Sequence, residues 1–330
     1  MLGIEAVPRL LSNPHDDESG SFEVPVRLPF DFALYRNLAI QSEAIPLPYI
    51  YSRTSWRCMI RIPCGRYAPV CVEPKNDGGQ PHLLVKYFCD CSTDEERQLR
   101  ESIMQVFCSE LDLLPFYDKA SDDAGFSEVV KRLRGLKPHL SQDPFESLVK
   151  AVVRQVVRAD TARQSVCLLV LRFGIKRLIK GMEYYSFPSP QAISGASKIQ
   201  LTDCNVGYKW KLIKRLSRDV ASGDLDLFEL ARLSDEKIIE RLTEYRGIGY
   251  WTSRIFLYDG LARLHAYPVC DISIRKAISL IYFHGKPISW REVELFFTDY
   301  EDFLGITATY LFGALWLRRR HSVNLDQRCS

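Results

Sequence analysis

The spacing of apolar residues changes once along this chain, and that change limits the folds open to it. Between about residues 22 and 90, apolar and aromatic residues partly alternate with polar ones, as in YIYSRTSWRCMIRIPC, YAPVCVEP and HLLVKYFCDC. A period of two puts successive side chains on opposite faces of a strand. KNDGGQP separates two of these runs and reads as a turn. From Ser92 onward the period becomes three to four. STDEERQLRESIMQVFCSELDLLPFY predicts a single helix opened by Ser92 and Thr93, with positions 99, 103, 106, 107, 111 and 114 apolar. After about residue 125 the strand patterns stop. Helices are predicted over 126–135, 144–157, 159–174, 205–221, 235–244, 250–262, 271–283, 290–298 and 305–320, mostly with short connections and with no fixed repeat. The expected fold is α+β: a mixed α/β N-terminal domain over 21–125, then an all-helical domain over 126–322. Residues 1–20 and 323–330 read as tails, and the polar stretch YDKASDDAGF marks the boundary.

A chain of 330 residues that is 46% hydrophobic can bury a large core. It contains no apolar run of the roughly 18 residues a membrane span needs. Its first residues lack an apolar segment and a small-residue cleavage site, so an intracellular protein without a membrane partner is expected. The ten cysteines form no framework and read as reduced thiols; the one-residue spacing of Cys89 and Cys91 suits zinc poorly. The net charge of +3 is unevenly spread. NVGYKWKLIKRLSR (205–218) has no acid, residues 150–180 carry eight basic residues against Asp160 alone, and RRR occupies 318–320. Solvated helix faces would account for this charge; so would a polyanion partner.

One stretch narrows the choice. In SDEKIIERLTEYRGIGYWTSRIF (234–256), a helix capped by Ser234 ends at Tyr245-Arg246 and another starts near Tyr250. The link must be a tight hairpin, and glycine permits the positive φ or the close backbone approach such a turn demands. The amides of Gly247, Gly249 and the first turn of the second helix lack intrahelical acceptors, which suits a phosphate irrespective of base sequence.

LTEYRGIGYWTSRIF followed by YPVCDISIRKAI (267–278) resembles the signature of the helix-hairpin-helix DNA glycosylase superfamily, a hairpin of the form L-x-x-x-x-G-[IV]-G-x-x-[TV]-A and then an Asp opening a helix about two dozen residues on. LKPHLSQDPFESLVKAVVRQVVRADTARQ (136–164) resembles the family's entry helix. PFDFALYRNLA and ELDLLPFY resemble the N-terminal half of the 3-methyladenine, or alkylbase, branch, and FLGITATYLFGALW resembles the last helix of the 8-oxoguanine branch. The likeness covers about residues 25–320.

The resemblance implies an enzyme that flips a damaged, alkylated base out of double-stranded DNA and hydrolyses its N-glycosidic bond. Asp271 would be the catalytic carboxylate, placed to stabilise an oxocarbenium-like sugar. Trp251 stands where lyase-competent members carry a lysine nucleophile, and no lysine lies within 242–275, so water is the expected nucleophile. Trp251 and Phe312 would line the base pocket. Arg246, Gly247, Gly249 and Thr252 would hold the DNA backbone, and Val156 or Val157 would wedge into the gap left by the base. No cofactor is expected. Past Cys270 only Cys329 remains, too few thiols for an iron–sulfur cluster. A sodium or potassium ion would sit on the carbonyls of Thr243, Tyr245 and Ile248 when DNA is bound. The protein is expected to act as a monomer. Arg246 replaces a frequent proline, Ser253 an alanine, and Gly305 the alkylbase branch's arginine. The competing readings are a bifunctional 8-oxoguanine-type glycosylase/lyase, which needs the missing lysine, and a non-catalytic DNA-binding module, which has no reason to aim Asp271 at a polyanion.

Overall fold

The computed structural model describes residues 19–39, 47–62, 65–76 and 81–326, with the side chains of 39 and 319–326 left aside. Residues 1–18 and 327–330 of the predicted tails, most of the KNDGGQP turn and the side chains of two arginines of RRR lie outside the described residues.

Strands β1 (Gly20–Pro25), β2 (Ile50–Tyr51), β3 (Trp56–Arg61), β4 (Tyr67–Lys75) and β5 (His82–Tyr87) form one antiparallel sheet in the order β1-β5-β4-β3-β2. The register pairs Val72 with Trp56 on one side and with Val85 on the other. Helix α1 (Phe32–Ala39) follows β1, inside the segment read as strands. Helix α2 (Thr93–Val106) opens with a reciprocal cap in which Ser92 accepts from the Glu95 amide and Glu95 accepts from the Ser92 amide. Leu99, Ile103, Val106 and Phe107 close one face of the sheet over Trp56, Ile60, Val70 and Val85.

The other face is covered too. Met59 and Cys71 pack on Ile179 and Tyr184 of a hairpin formed by β6 (Lys176–Ile179) and β7 (Met182–Tyr185). This corrects the expectation of an all-helical stretch after residue 125. Lys180 (φ 49°) and Gly181 (φ 75°) make a two-residue turn with both φ positive, the geometry that matches strand twist. The charges that resembled a helix face are cross-strand partners here, with Lys176 paired to Glu183. Cover on both faces also explains why β3 alternates poorly: Cys58, Met59 and Ile60 are all buried.

The remaining helices are α3 (Leu114–Ser121), α4 (Ala124–Arg132), α5 (Pro144–Arg154), α6 (Ala159–Phe173), α7 (Pro190–Ser194), α8 (Lys198–Thr202), α9 (Trp210–Ser222), α10 (Leu227–Leu230), α11 (Asp235–Thr243), α12 (Tyr250–Ile255), α13 (Ile272–Tyr282), α14 (Trp290–Thr298) and α15 (Leu304–Asp326). The single helix predicted from Ser92 is two, because Pro115 cannot sit in a helix interior and instead starts α3. Two helical cores result. One gathers Val149, Val152, Leu169, Ile213, Leu242 and Ile248 from α5, α6, α9 and the α11–α12 region. The other gathers Phe116, Phe126, Ile274, Val293 and Tyr310 from α3, α4 and α13–α15. Ile255 of α12 belongs to the second core, while Phe256 and Leu257, in a π-helical turn over Phe256–Gly260, belong to the first. Segment 250–260 therefore runs between the two cores.

Candidate active site

The hairpin joins α11 to α12 through Glu244–Gly249. Ile248 donates its amide to Tyr245 O at 2.8 Å, closing the turn, and the Ile248 side chain anchors it in the first core. The two glycines play different parts. Gly247 has φ 105°, which an L side chain rarely adopts, and a Cβ there would meet Leu212 at 3.1 Å. Gly249 has φ −114°, ordinary for any residue, but nothing lies within 4 Å of where its Cβ would be. The first glycine makes the turn, and the second leaves the approach open. Among the described residues no acceptor takes the amide of either.

Gln155, which ends α5, clamps the hairpin. Its Nε2 donates to Gly247 O and to Thr252 Oγ1, each at 2.8 Å. Thr252 is buried and its hydroxyl is taken by this clamp, so its side chain does not face solvent; what it offers is a first-turn amide. Arg246 is exposed beside the turn. The next residue after the clamp, Val156, is 95% exposed with φ 54°. A β-branched residue at positive φ is strained, and such strain clusters at functional sites. Val157 is less exposed, at 40%. Of the two wedge candidates, Val156 is the one that projects.

Asp271 caps α13. Its Oδ1 accepts from the Ser273 amide at 2.7 Å. Its Oδ2 accepts from Trp251 Nε1 at 3.0 Å and from the Tyr267 hydroxyl at 3.4 Å. It stands at the N-terminus of α13, the helix end that carries a partial positive charge. Tyr267 is buried, and burial followed by the charge of Asp271 pushes its phenol well above the usual range, so it stays a donor. Its ring packs edge-on against Phe312 at 6.0 Å and against Tyr258 at 4.9 Å. Trp251 and Phe312 are half-buried on the second core. Trp251, Phe312 and Asp271, predicted separately, thus meet around Tyr267. Tyr267 and Tyr258 were missed; the signal for Tyr267 was its place four residues before Asp271 in YPVCD.

Tyr258 also accounts for Gly305. A Cβ at Gly305 would lie 2.6 Å from the Tyr258 ring and 2.6 Å from Leu264 O. An arginine has no room there because a phenol fills the space.

The predicted basic segments are corrected in part. Lys209, within the basic run 205–218, is buried and donates to Val153 O at 2.7 Å. Lys214 donates to Ala196 O, and Lys150, Arg172 and Arg218 pair with Glu146, Asp203 and Asp219. No group of three or more His, Cys, Asp or Glu side chains able to hold a metal occurs among the described residues. The carbonyls proposed for a monovalent ion, Thr243, Tyr245 and Ile248, lie where helix α11 runs out of intrahelical donors. Tyr245 O accepts the Ile248 amide at 2.8 Å.

No known family profile matches the sequence. Individual proteins do. The chain is 30% identical over 170 residues to DNA-3-methyladenine glycosylase 1 of Schizosaccharomyces pombe, spanning 50% of this chain and 70% of that protein. The chain belongs to the helix-hairpin-helix DNA glycosylase superfamily. It is also 26% identical over 268 residues to a protein of Methanothermobacter thermautotrophicus described as "probable N-glycosylase/DNA lyase", covering 74% of this chain and 82% of that one. The solved 3-methyladenine DNA-glycosylase of Archaeoglobus fulgidus superposes with a TM-score of 0.78 at 23% identity, covering 88% of this chain and 97% of that one; this likeness concerns the fold. The protein is thus a DNA N-glycosylase of base excision repair, with α+β architecture.

Proposed function

We propose that this glycosylase removes an alkylated base from double-stranded DNA by hydrolysis and leaves an intact abasic site. The observation that carries the proposal is the contact between Trp251 and Asp271: the position where lyase-competent relatives place an amine holds an indole whose N–H is committed to the carboxylate. An indole nitrogen cannot attack C1′.

In this reading Val156 enters the duplex as the base leaves it. The base lies among the rings of Trp251, Tyr267 and Phe312, and an electron-poor alkylated base is drawn to such rings. As the C1′–N bond breaks, its electrons leave with the base. Asp271 faces the cationic sugar, and water, oriented by that carboxylate, forms the new C1′–O bond and releases a proton to solvent. The indole and the phenol hold Asp271 in place. The amides of Gly247, Gly249 and Thr252, with Arg246, hold phosphate. A sodium or potassium ion on the Thr243, Tyr245 and Ile248 carbonyls would add positive charge at the same phosphate. The glycosylase names among its relatives support the alkylated substrate. The relative with a lyase name does not extend that activity to a chain with Trp251.

The same proposal includes action as a monomer, inside the cell, without a membrane partner; among the described residues no helix is long and apolar enough to cross a membrane. It also includes a mixed unit to about residue 125 and a helical unit over 126–322. The hairpin β6–β7 reaches back to the sheet, and α3 packs forward on the helical core.

The test is a panel of duplexes, each with one defined lesion, incubated with and without hot alkali and with borohydride. Strand breaks that appear only after alkali, on alkylated purines, and no borohydride-trapped adduct are expected. Breaks without alkali, together with a trapped adduct, would identify a lyase.

A further inference from the structure

Next to Asp271 the surface of α13 combines cations with exposed apolar side chains. Ile272, Arg275, Lys276 and Ser279 follow one another at helical spacing and, with Pro287 and Ile288, line a concavity of about 250 Å³. Ile272 is 71% exposed although it directly follows the catalytic carboxylate. Arg275 lies over the ring of Trp290 at 4.6 Å, and that indole is itself partly exposed at the start of α14. Lys286 and Arg291 flank the same region and are exposed.

The cations of this patch differ from those spent on carboxylates, such as Arg97 with Glu101, Arg172 with Asp203 and Arg241 with Glu244. No carboxylate among the described residues reaches Arg275, Lys276, Lys286 or Arg291 within ion-pair distance. Glu292, next to Arg291, is occupied in the cap of α14 with Ser289, and Asp271, four residues before Arg275, is occupied by Ser273, Trp251 and Tyr267. Unpaired cations beside exposed apolar and aromatic surface match a nucleic-acid strand, whose phosphates need charge and whose sugars and bases need contact.

Distance fixes which part of the strand. Arg275 is one helical turn beyond Asp271, about 6 Å along the axis at about 1.5 Å per residue. A DNA strand advances about 3.4 Å per nucleotide. We propose that this patch is a second DNA-contact site, resting on the glycosylase reading above, that holds the lesion strand one to two nucleotides to one side of the flipped base. Arg275 and Lys276 take phosphates over the concavity, and Ile272 and Trp290 bear on the sugar and base between them.

The experiment measures binding to duplexes carrying an uncleavable abasic-site analogue, across a salt series, with the flank on the 5′ or the 3′ side trimmed. Wild-type protein should lose affinity when one flank is trimmed and much less with the other. Arg275→Ala combined with Lys276→Ala should lower the log–log salt slope by roughly one to two, at about 0.9 per phosphate, and erase the one-sided trimming penalty. Trp290→Leu should weaken binding with the slope unchanged. Lys237→Ala, on α11 and outside the patch, should behave as wild type. A double variant with wild-type slope and trimming response would overturn the proposal, as would an equal loss of slope in Lys237→Ala. Failure of the glycosylase reading would look different: wild-type protein that releases no base from any lesion.

Discussion

Trp251 donates its indole N–H to Oδ2 of Asp271 across the gap between α12 and α13, at 3.0 Å. The bond ties the hairpin proposed to hold DNA to the carboxylate proposed to face the sugar. Replacing Trp251 with Phe keeps a ring in the pocket and deletes the donor. A hydrogen bond to a charged group contributes about 1.5–3 kcal/mol, so single-turnover excision should fall roughly ten- to hundredfold. Binding to an abasic-site analogue should change little. Equal excision by Trp251→Phe and wild type would mean that the bond does not position Asp271.

The hairpin glycines should respond to substitution in opposite ways. Gly249→Val meets no atom of the protein and needs no unusual φ, so the fold should keep its melting temperature. Its side chain would occupy the open approach, and affinity should fall about equally for damaged and undamaged DNA of any sequence. Gly247→Val has to adopt φ 105° and should destabilise the fold by about 1–3 kcal/mol. Melting curves and salt-matched binding on both variants check the contrast.

Val156→Gly should separate stability from activity. Glycine relieves the φ of 54°, so unfolding should become no easier, as read in denaturant midpoints. Excision from duplex DNA should drop because the wedge is gone, while excision from a single strand, which has no stack to replace, should be less affected. Equal losses on both substrates would remove Val156 from the wedge role.

How much of this could be read from the chain depends on the range of the cause. Helices α4, α5, α6, α11, α13 and α14 follow apolar periodicity, and local caps such as Asp123, Ser234 and Ser289 fix the starts of α4, α11 and α14. Their boundaries match the predicted ones to within a few residues. Hairpin β6–β7 did not register, because its charged residues pair across strands and its cover is the distant face of β3 and β4. The site was legible where residues sit in a contiguous motif: Gly247, Gly249, Trp251 and Asp271. Tyr258 was not, since its role depends on Gly305 and Thr309 of α15, brought beside it only by folding. Lys209 misled for the same reason: a lysine in a basic run is a surface residue until a buried carbonyl such as Val153 O is placed against it.

His139 gives the fold a pH dependence of known sign. Its ring is surrounded by those of Tyr35, Tyr49, Tyr51, Trp56 and Phe107, and burial drives its pKa down to about 3. The unfolded chain takes up this proton near pH 6.5, at the residue's ordinary pKa, whereas the folded chain resists it until about 3. Protons therefore favour the unfolded state in this window, and the contribution of His139 to stability falls as pH drops from about 6.5 toward 3. His139→Phe should flatten the stability–pH curve in that range relative to wild type, measured by denaturant unfolding at a series of pH values. An unchanged slope would show that other groups carry the acid sensitivity.

The central claim is that Asp271 carries the hydrolysis of the glycosidic bond and is not there for binding. The most direct measurement compares wild type with Asp271→Asn on the best alkylated duplex, reading alkali-revealed abasic sites under single-turnover conditions and affinity for the same duplex. Asparagine keeps an oxygen for the Ser273 amide, and loses the charge together with the oxygen that accepts from Trp251 and Tyr267. The account predicts that excision is abolished, or reduced by at least about a thousandfold on the scale of a lost electrostatic group, with affinity equal to or above wild type. Excision near the wild-type rate would contradict it.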